Sequence, residues 1–308
     1  MHKALEEYLA HLIPELHTSG IIIRNEKALD YGTQLLLQCG EEKNTVNLYY
    51  SEKKGISVVL GGSKTNQLYN TLQNLMQPSV AKQLSSVDFH HWNSWIGSDE
   101  CGKGDYLGGL VVCGFAVQRN ELQSLKKLGV TDSKKLKDER LIQMALEIYK
   151  LYPKRISCIV LKPLKYNELY ASLKAQGKNL NDLLAWQHSA VIKELIQRDA
   201  SVEGALVDQF SRSMKVKHGL EKQSVTVPIV ERPKAESDIA VAAASILARY
   251  QFLQLHQSLA RYYKTAIPLG AGANVNKAAR DFIGIYGSER LKEIAKLHFV
   301  STKKVLGL

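Results

Sequence analysis

Four cysteines in 308 residues (Cys39, Cys101, Cys113 and Cys158) form no C-x-x-C pair and have no histidine at zinc spacing. This excludes a cysteine-histidine zinc module and a disulfide-stapled scaffold. It predicts free, buried thiols in a reducing compartment. No stretch approaches the roughly 18 uninterrupted apolar residues of a membrane helix. The first 20 residues mix Glu6, Glu7, His11 and Glu15 with apolar positions, which does not read as a signal peptide. A cytoplasmic protein without membrane association is expected. Prolines number only seven, and no repeat or low-complexity tract occurs. There is no G-x-G-x-x-G loop, no P-loop and no EF-hand pattern, so dinucleotide, P-loop nucleotide and EF-hand calcium sites are not indicated.

What the chain does have is positive charge. Its formal net charge is +11 and its pI is near 9.3. Lysines and arginines on a phosphate backbone release condensed counterions, so an anionic polymer is a natural partner. The charge is unevenly spread. Residues 1–77 hold seven basic and eight acidic side chains, a net of −1 that leaves +12 for the remainder.

Hydrophobic spacing divides the chain at the same place. Leu5, Leu9, Leu12 and Leu16 recur at helical steps. β-like runs follow at 21–23, 33–38, 45–50 and 56–60, and then a helix around Leu68, Leu72, Leu75 and Met76. The pattern weakens over 77–93, giving a predicted N-terminal domain 1–77, a linker 78–93 and a second domain 94–308. In the latter, strands are predicted at 94–99, 109–117, 155–161, 204–207 and 225–230. Helices are predicted at 141–151, 183–196 and 239–259. The last begins IAVAAASILA, apolar nearly all round, and should be buried against a sheet. The fold class is α/β, a mixed sheet flanked by helices, preceded by a small α+β domain.

The candidate chemistry lies in Asp99-Glu100-Cys101-Gly102-Lys103-Gly104-Asp105. Two adjacent carboxylates end an apolar strand, where α/β sheets place their sites. Gly102 and Gly104 let the backbone approach a ligand, and Lys103 could meet a phosphate. The same letters also suit a polar turn. Asp208 changes the balance, because it too ends an apolar strand, where a carboxylate is costly unless paired or metal-bound. Glu236-Ser237-Asp238 precedes the buried helix. Glu236 is the third acidic candidate, with Asp238 in reserve, and a helix N-cap is the competing role. Clustered carboxylates with few competing His or Cys ligands favour divalent cations, Mg²⁺ or Mn²⁺.

The runs IGSDECGKGDYLGG, TDSKKL (131–136), KAES with AVAAASILAR (234–249) and KLHFVSTKK (296–304) together resemble type 2 ribonuclease H, most closely its HIII subtype. The resemblance spans the chain from about Trp95 onward. It implies a ribonuclease H-like domain and, before it, a domain resembling half of the TATA-box-binding protein that helps hold substrate. Carried over by position, the four acidic active-site residues fall on Asp99, Glu100, Asp208 and Glu236, as catalytic groups and as ligands of two divalent metals. Gly102, Lys103 and Gly104 correspond to a loop on the ribose-phosphate backbone. Lys134 and Lys135 are further phosphate candidates, or a solvated helix start. Gly109 stands where proline is usual, and Cys101 where a small apolar residue is common.

The implied activity is endonucleolytic hydrolysis of the RNA strand of an RNA/DNA hybrid, leaving 5′-phosphate and 3′-hydroxyl ends, with no obligatory protein partner evident. Two alternatives stay open: ribonuclease HII-like incision at single ribonucleotides in DNA, and a non-catalytic nucleic-acid-binding protein.

Overall fold

The computed structural model describes residues 3–51, 55–63, 65–76, 90–130, 136–211 and 213–308. It divides the chain into two compact units, Met1–Phe89 and His90–Leu308.

In the first unit, α1 (Lys3–Thr18) precedes a four-stranded antiparallel sheet, which α2 (Gln67–Leu75) follows. The strands β1 (Ile22–Leu29), β2 (Gly32–Cys39), β3 (Glu42–Ser51) and β4 (Gly55–Gly61) lie in sequence order. Alternation decides the faces. Leu35, Leu37, Val46 and Leu48 are buried beside the apolar stripe of α1 (Leu5, Leu9, Leu12, Leu16) and Leu68 and Leu72 of α2. The intervening residues of β2 and β3 form the other face, where the Gln34 amide donates to Asn47 (2.7 Å). β1 is longer than the predicted 21–23, because an edge strand is held by its ladder to β2 and needs no buried stripe of its own.

The second unit is built on a five-stranded sheet ordered β7-β6-β5-β8-β9. The hairpin β5 (Ser94–Cys101) and β6 (Leu110–Gln118) is followed by α3 (Leu122–Leu128) and α4 (Asp138–Leu151). Next come β7 (Ile156–Leu161), α5 (Pro163–Ala175), α6 (Leu180–Arg198), β8 (Gly204–Asp208) and α7 (Lys215–Glu221). Finally β9 (Ile229–Arg232) leads to α8 (Ile239–Tyr262), α9 (Ala273–Tyr286) and α10 (Val300–Leu306). β5 pairs antiparallel with β6 but parallel with β8, and β8 pairs parallel with β9. One face of the sheet is covered by α8 and α4, the other by α6 and its neighbours. The approach of α8 is close: a Cβ at Gly97 would stand 2.1 Å from the Ala240 carbonyl carbon.

Two expectations are corrected. The last strand occupies Ile229–Arg232 rather than 225–230. Pro228 has no N–H to give to a ladder; its carbonyl instead accepts the Ala205 N–H at 2.9 Å. And the cysteines are not all free. Cys113 and Cys158 are paired directly across β6 and β7 and joined by a disulfide, while Cys39 and Cys101 remain thiols. The sequence separation of 45 between the bonded pair conceals a neighbourhood that only strand register creates.

Part of the predicted linker, residues 78–89, lies outside the described residues, as does residue 77 before it. From His90 onward the chain is tied into the second unit. The Asn93 N–H donates to Glu203 (2.9 Å), and Arg119 donates to the Trp92 carbonyl (3.1 Å). Among the described residues no helix is long and apolar enough to cross a membrane.

Candidate active site

Asp99 and Glu100 end the central strand β5, and Asp208 ends β8 beside it. The parallel register pairs Ser98 with Val207, so the two strands deliver Asp99 and Asp208 to the same edge. A cleft of about 410 Å³ opens there, lined by Asp99, Glu100, Asp208 and the Gly102-Lys103-Gly104 loop.

Successive strand residues face opposite sides of a sheet, and the two adjacent acids have different surroundings. Asp99 is on the side of α8. Only 9% of it is exposed; it accepts the Glu100 N–H at 2.8 Å and a hydrogen bond from Ser245 of α8. Burial, and then the Glu100 charge, push its carboxyl up to about 8 against those hydrogen bonds, with Asp208 adding to the rise. Glu100 faces α6. Burial acts to raise it as well, but His188 and Lys103 outweigh burial and leave it below the usual carboxylate range. His188 Nε2 is 3.3 Å from one Glu100 oxygen and Lys103 Nζ 3.7 Å from the other.

The glycine loop is shaped by contact. Gly102 has φ +94°, and a Cβ there would fall 2.5 Å from the Phe252 ring and 2.6 Å from the Gly109 carbonyl oxygen. Gly109 is equally constrained, since its Cβ would sit 2.0 Å from the Leu161 carbonyl oxygen. In this chain the usual proline has no room. Gly104 meets nothing within 4 Å, so its backbone remains open to the cleft. The Lys103 ammonium lies 5.6 Å from the Phe210 ring centre. Burial raises the Cys101 thiol to about 12, keeping it neutral and unreactive.

Glu236 occupies a 3₁₀ turn, Ala235–Ser237, beside the cleft rather than in its lining. The turn is tied to Asp208, which accepts the Ala235 N–H at 3.0 Å, and Lys234 just before it takes a left-handed φ of +58°. Asp238 is otherwise engaged. It caps α8 by accepting from Ala240 and Val241 and also takes the Trp95 indole N–H at 3.2 Å. The helix cap weighed for Glu236 therefore belongs to Asp238, whose carboxylate is engaged by the helix start and Trp95. Lys134 and Lys135 lie outside the described residues.

His298 packs among Tyr166, Tyr170 and Phe299, and burial lowers it to about 4. Its own surface is nonetheless exposed, so it edges this aromatic group rather than lying in the core. Sequence reasoning did not single out Ser245, Arg249, Asp138 or His188. The first three line the cleft, and an Arg249–Asp138 pair at 3.3 Å spans its rim. Ser245 and Arg249 stand inside the run AVAAASILAR, whose apolar letters mark a buried helix and mask the polar positions facing the strand ends.

Among the described residues no three His, Cys, Asp or Glu side chains are gathered closely enough to hold a cation as they stand. The donor chemistry nevertheless fits one. Asp99, Glu100 and Asp208 present hard oxygens, and the Asp99 carboxyl, raised by burial and then by the Glu100 charge, marks a place where a divalent cation would offset negative charge.

Comparison with known proteins gives the family. The family model for ribonuclease HII matches residues 96–302. Ribonuclease HIII of Protochlamydia amoebophila is 39% identical over 84% of this chain and 86% of its own length. Ribonuclease HIII of Chlamydia pneumoniae is 42% identical over 66% and 67%. Among solved structures, Bst-RNase HIII in complex with Mn²⁺ covers 96% of both chains at 30% identity, with a TM-score of 0.66. The chain belongs to the type 2 ribonuclease H family, on its ribonuclease HIII branch.

Proposed function

We propose that this protein is an endonuclease that hydrolyses the RNA strand of RNA/DNA hybrids with two divalent cations, Mg²⁺ or Mn²⁺. The observation that carries the reading is the meeting of Asp99, Glu100 and Asp208 in one cleft, in a chain of this family. Asp99, Asp208, Glu236 and Glu100 would hold the cations. When bound, such ions would supply activation of a water for in-line attack and stabilisation of the departing 3′-oxygen.

The remaining work falls to the chain. Asp99, fixed by Ser245 and the strand backbone, lies at the centre of the cage. Glu100 reads the 2′-hydroxyl, the group that separates RNA from DNA. Lys103 offsets phosphate charge at the rim, while Gly102 and Gly104 let the backbone come near the ribose-phosphate chain. Lys134 and Lys135 add phosphate contacts. The products carry 5′-phosphate and 3′-hydroxyl ends.

The N-terminal domain grips the hybrid. Its open sheet face supports this reading, since amide and hydroxyl groups such as Gln34, Asn47 and Tyr49 can bond sugars and phosphates without net positive charge. The protein works in the cytoplasm without an obligatory protein partner.

The test is cleavage of an end-blocked, labelled hybrid in Mg²⁺ and in Mn²⁺, with Asp99→Asn as control. Internal RNA cuts that require metal and disappear in the variant are expected. Tight binding without cutting in either metal would overturn the proposal.

A further inference from the structure

His188 is completely buried in the middle of α6, between turns carrying Leu184, Val191 and Ile192. An imidazole there costs desolvation that an aliphatic side chain would avoid, unless its nitrogens are used. Both nitrogens face β5. Nδ1 lies 2.7 Å from the Ser98 hydroxyl, and Nε2 3.3 Å from the Glu100 carboxylate. Ser98 and Glu100 are two residues apart and share a face, so one ring spans both. Phe210 stacks on it, with centroids 5.2 Å apart and planes 17° from parallel.

The Ser98 hydroxyl donates to the Cys113 carbonyl oxygen at 3.1 Å, so the strand holds Ser98 in place and the ring is anchored to it through Nδ1, leaving Nε2 turned to the Glu100 carboxylate. With Lys103 beside the other oxygen, the carboxylate is held at both ends.

We propose that His188 is a positioning residue that fixes the Glu100 carboxylate at the cleft, and with it the group that reads ribose. This rests on Glu100 being one of the catalytic carboxylates.

His188→Asn and His188→Gln separate the two ring nitrogens. An asparagine amide reaches the place of Nδ1 only, whereas a glutamine amide reaches that of Nε2. Loss of an outer contact to a metal-holding group typically costs about 10–100-fold. The expected result for His188→Asn is such a fall in kcat, with KM for the hybrid within about threefold of wild type, and a comparable weakening of Mn²⁺ binding to the substrate-free protein measured calorimetrically. His188→Gln should keep most of both. A merely structural histidine would instead lower melting temperature in both variants and leave kcat per folded molecule unchanged.

The proposal is overturned if His188→Asn turns over and binds Mn²⁺ like wild type, or if His188→Gln falls as far as His188→Asn in both readouts. Glu100→Gln keeps the two ideas apart. Wild-type turnover in that variant would sink the catalytic reading of Glu100. An inactive Glu100→Gln beside a fully active His188→Asn would sink only the role given to His188.

Discussion

Titrating Mn²⁺ into the substrate-free protein at pH values from 6 to 9 measures the electrostatic state of Asp99. Its carboxyl is pushed up to about 8 by burial and by Glu100, and a cation needs the ionised form. On that value roughly one molecule in a hundred is ready at pH 6 and half are ready at pH 8, by simple titration at about 1.4 kcal/mol per tenfold. Apparent affinity should therefore rise roughly 50-fold across the interval, worth about 2.3 kcal/mol, and level off near pH 9. Calorimetry in two buffers of different ionisation enthalpy should find close to one proton released per protein molecule at pH 6 to 7. Asp99→Asn should abolish the slope. A change of less than about fivefold between pH 6 and 8 would refute the reasoning, since a carboxylate already ionised at pH 6 gives no such gain. Stability without metal runs the other way. The folded-state value lies above the unfolded one, so this contribution is fully present below about pH 4 and is lost as pH rises through about 8. In EDTA at pH 8, Asp99→Asn should melt at a higher temperature than wild type while losing at least about 100-fold in kcat.

Three further outcomes can be checked separately. Gly97→Ala would drive a methyl to 2.1 Å from the Ala240 carbonyl carbon; the expected loss is about 3 kcal/mol or more in urea unfolding, and an unchanged midpoint would contradict the close strand–helix contact. Lys296, 1% exposed, gives its ammonium to the Gly108 and Gly109 carbonyls, and burial holds it down at about 7. Stability from this group is present above its unfolded value and lost as pH falls through about 7, so Lys296→Met should flatten a rise of up to about 1.4 kcal/mol per pH unit between pH 7 and 10. Replacing Asn47 and Tyr49 together by Ala should raise KM for a hybrid about tenfold or more while kcat stays within about twofold, as expected when uniform binding is lost; an unchanged KM would remove the first unit's sheet face from the substrate path.

Much of this site can be read from the sequence because strands announce their ends. Ala205-Leu206-Val207 running into Asp208, and Trp95 to Ser98 running into Asp99, are apolar stretches stopped by an acid, and burial makes such acids conspicuous. The two carboxylates before α8 could not be told apart that way. Glu236 and Asp238 are equally suited to a helix start, and only the N–H groups of Ala240 and Val241 show which one is the cap. His188 was invisible for a different reason. Its partners are 88 and 90 residues away, and in sequence it is one polar letter on a long helix. The disulfide between Cys113 and Cys158 and the late start of β9 after Pro228 likewise depend on pairing between strands, which composition and periodicity do not encode.

The parallel pairing of β5 with β8 also acts as a ruler. Hydrogen-bonded strands lie about 4.8 Å apart whatever side chains they carry. Ser98 and Val207 are register partners, so the backbones of the acids that follow them inherit a separation set by strand geometry. That spacing is held by amide hydrogen bonds rather than by local packing. Loops and helix faces around the cleft can diverge without disturbing it.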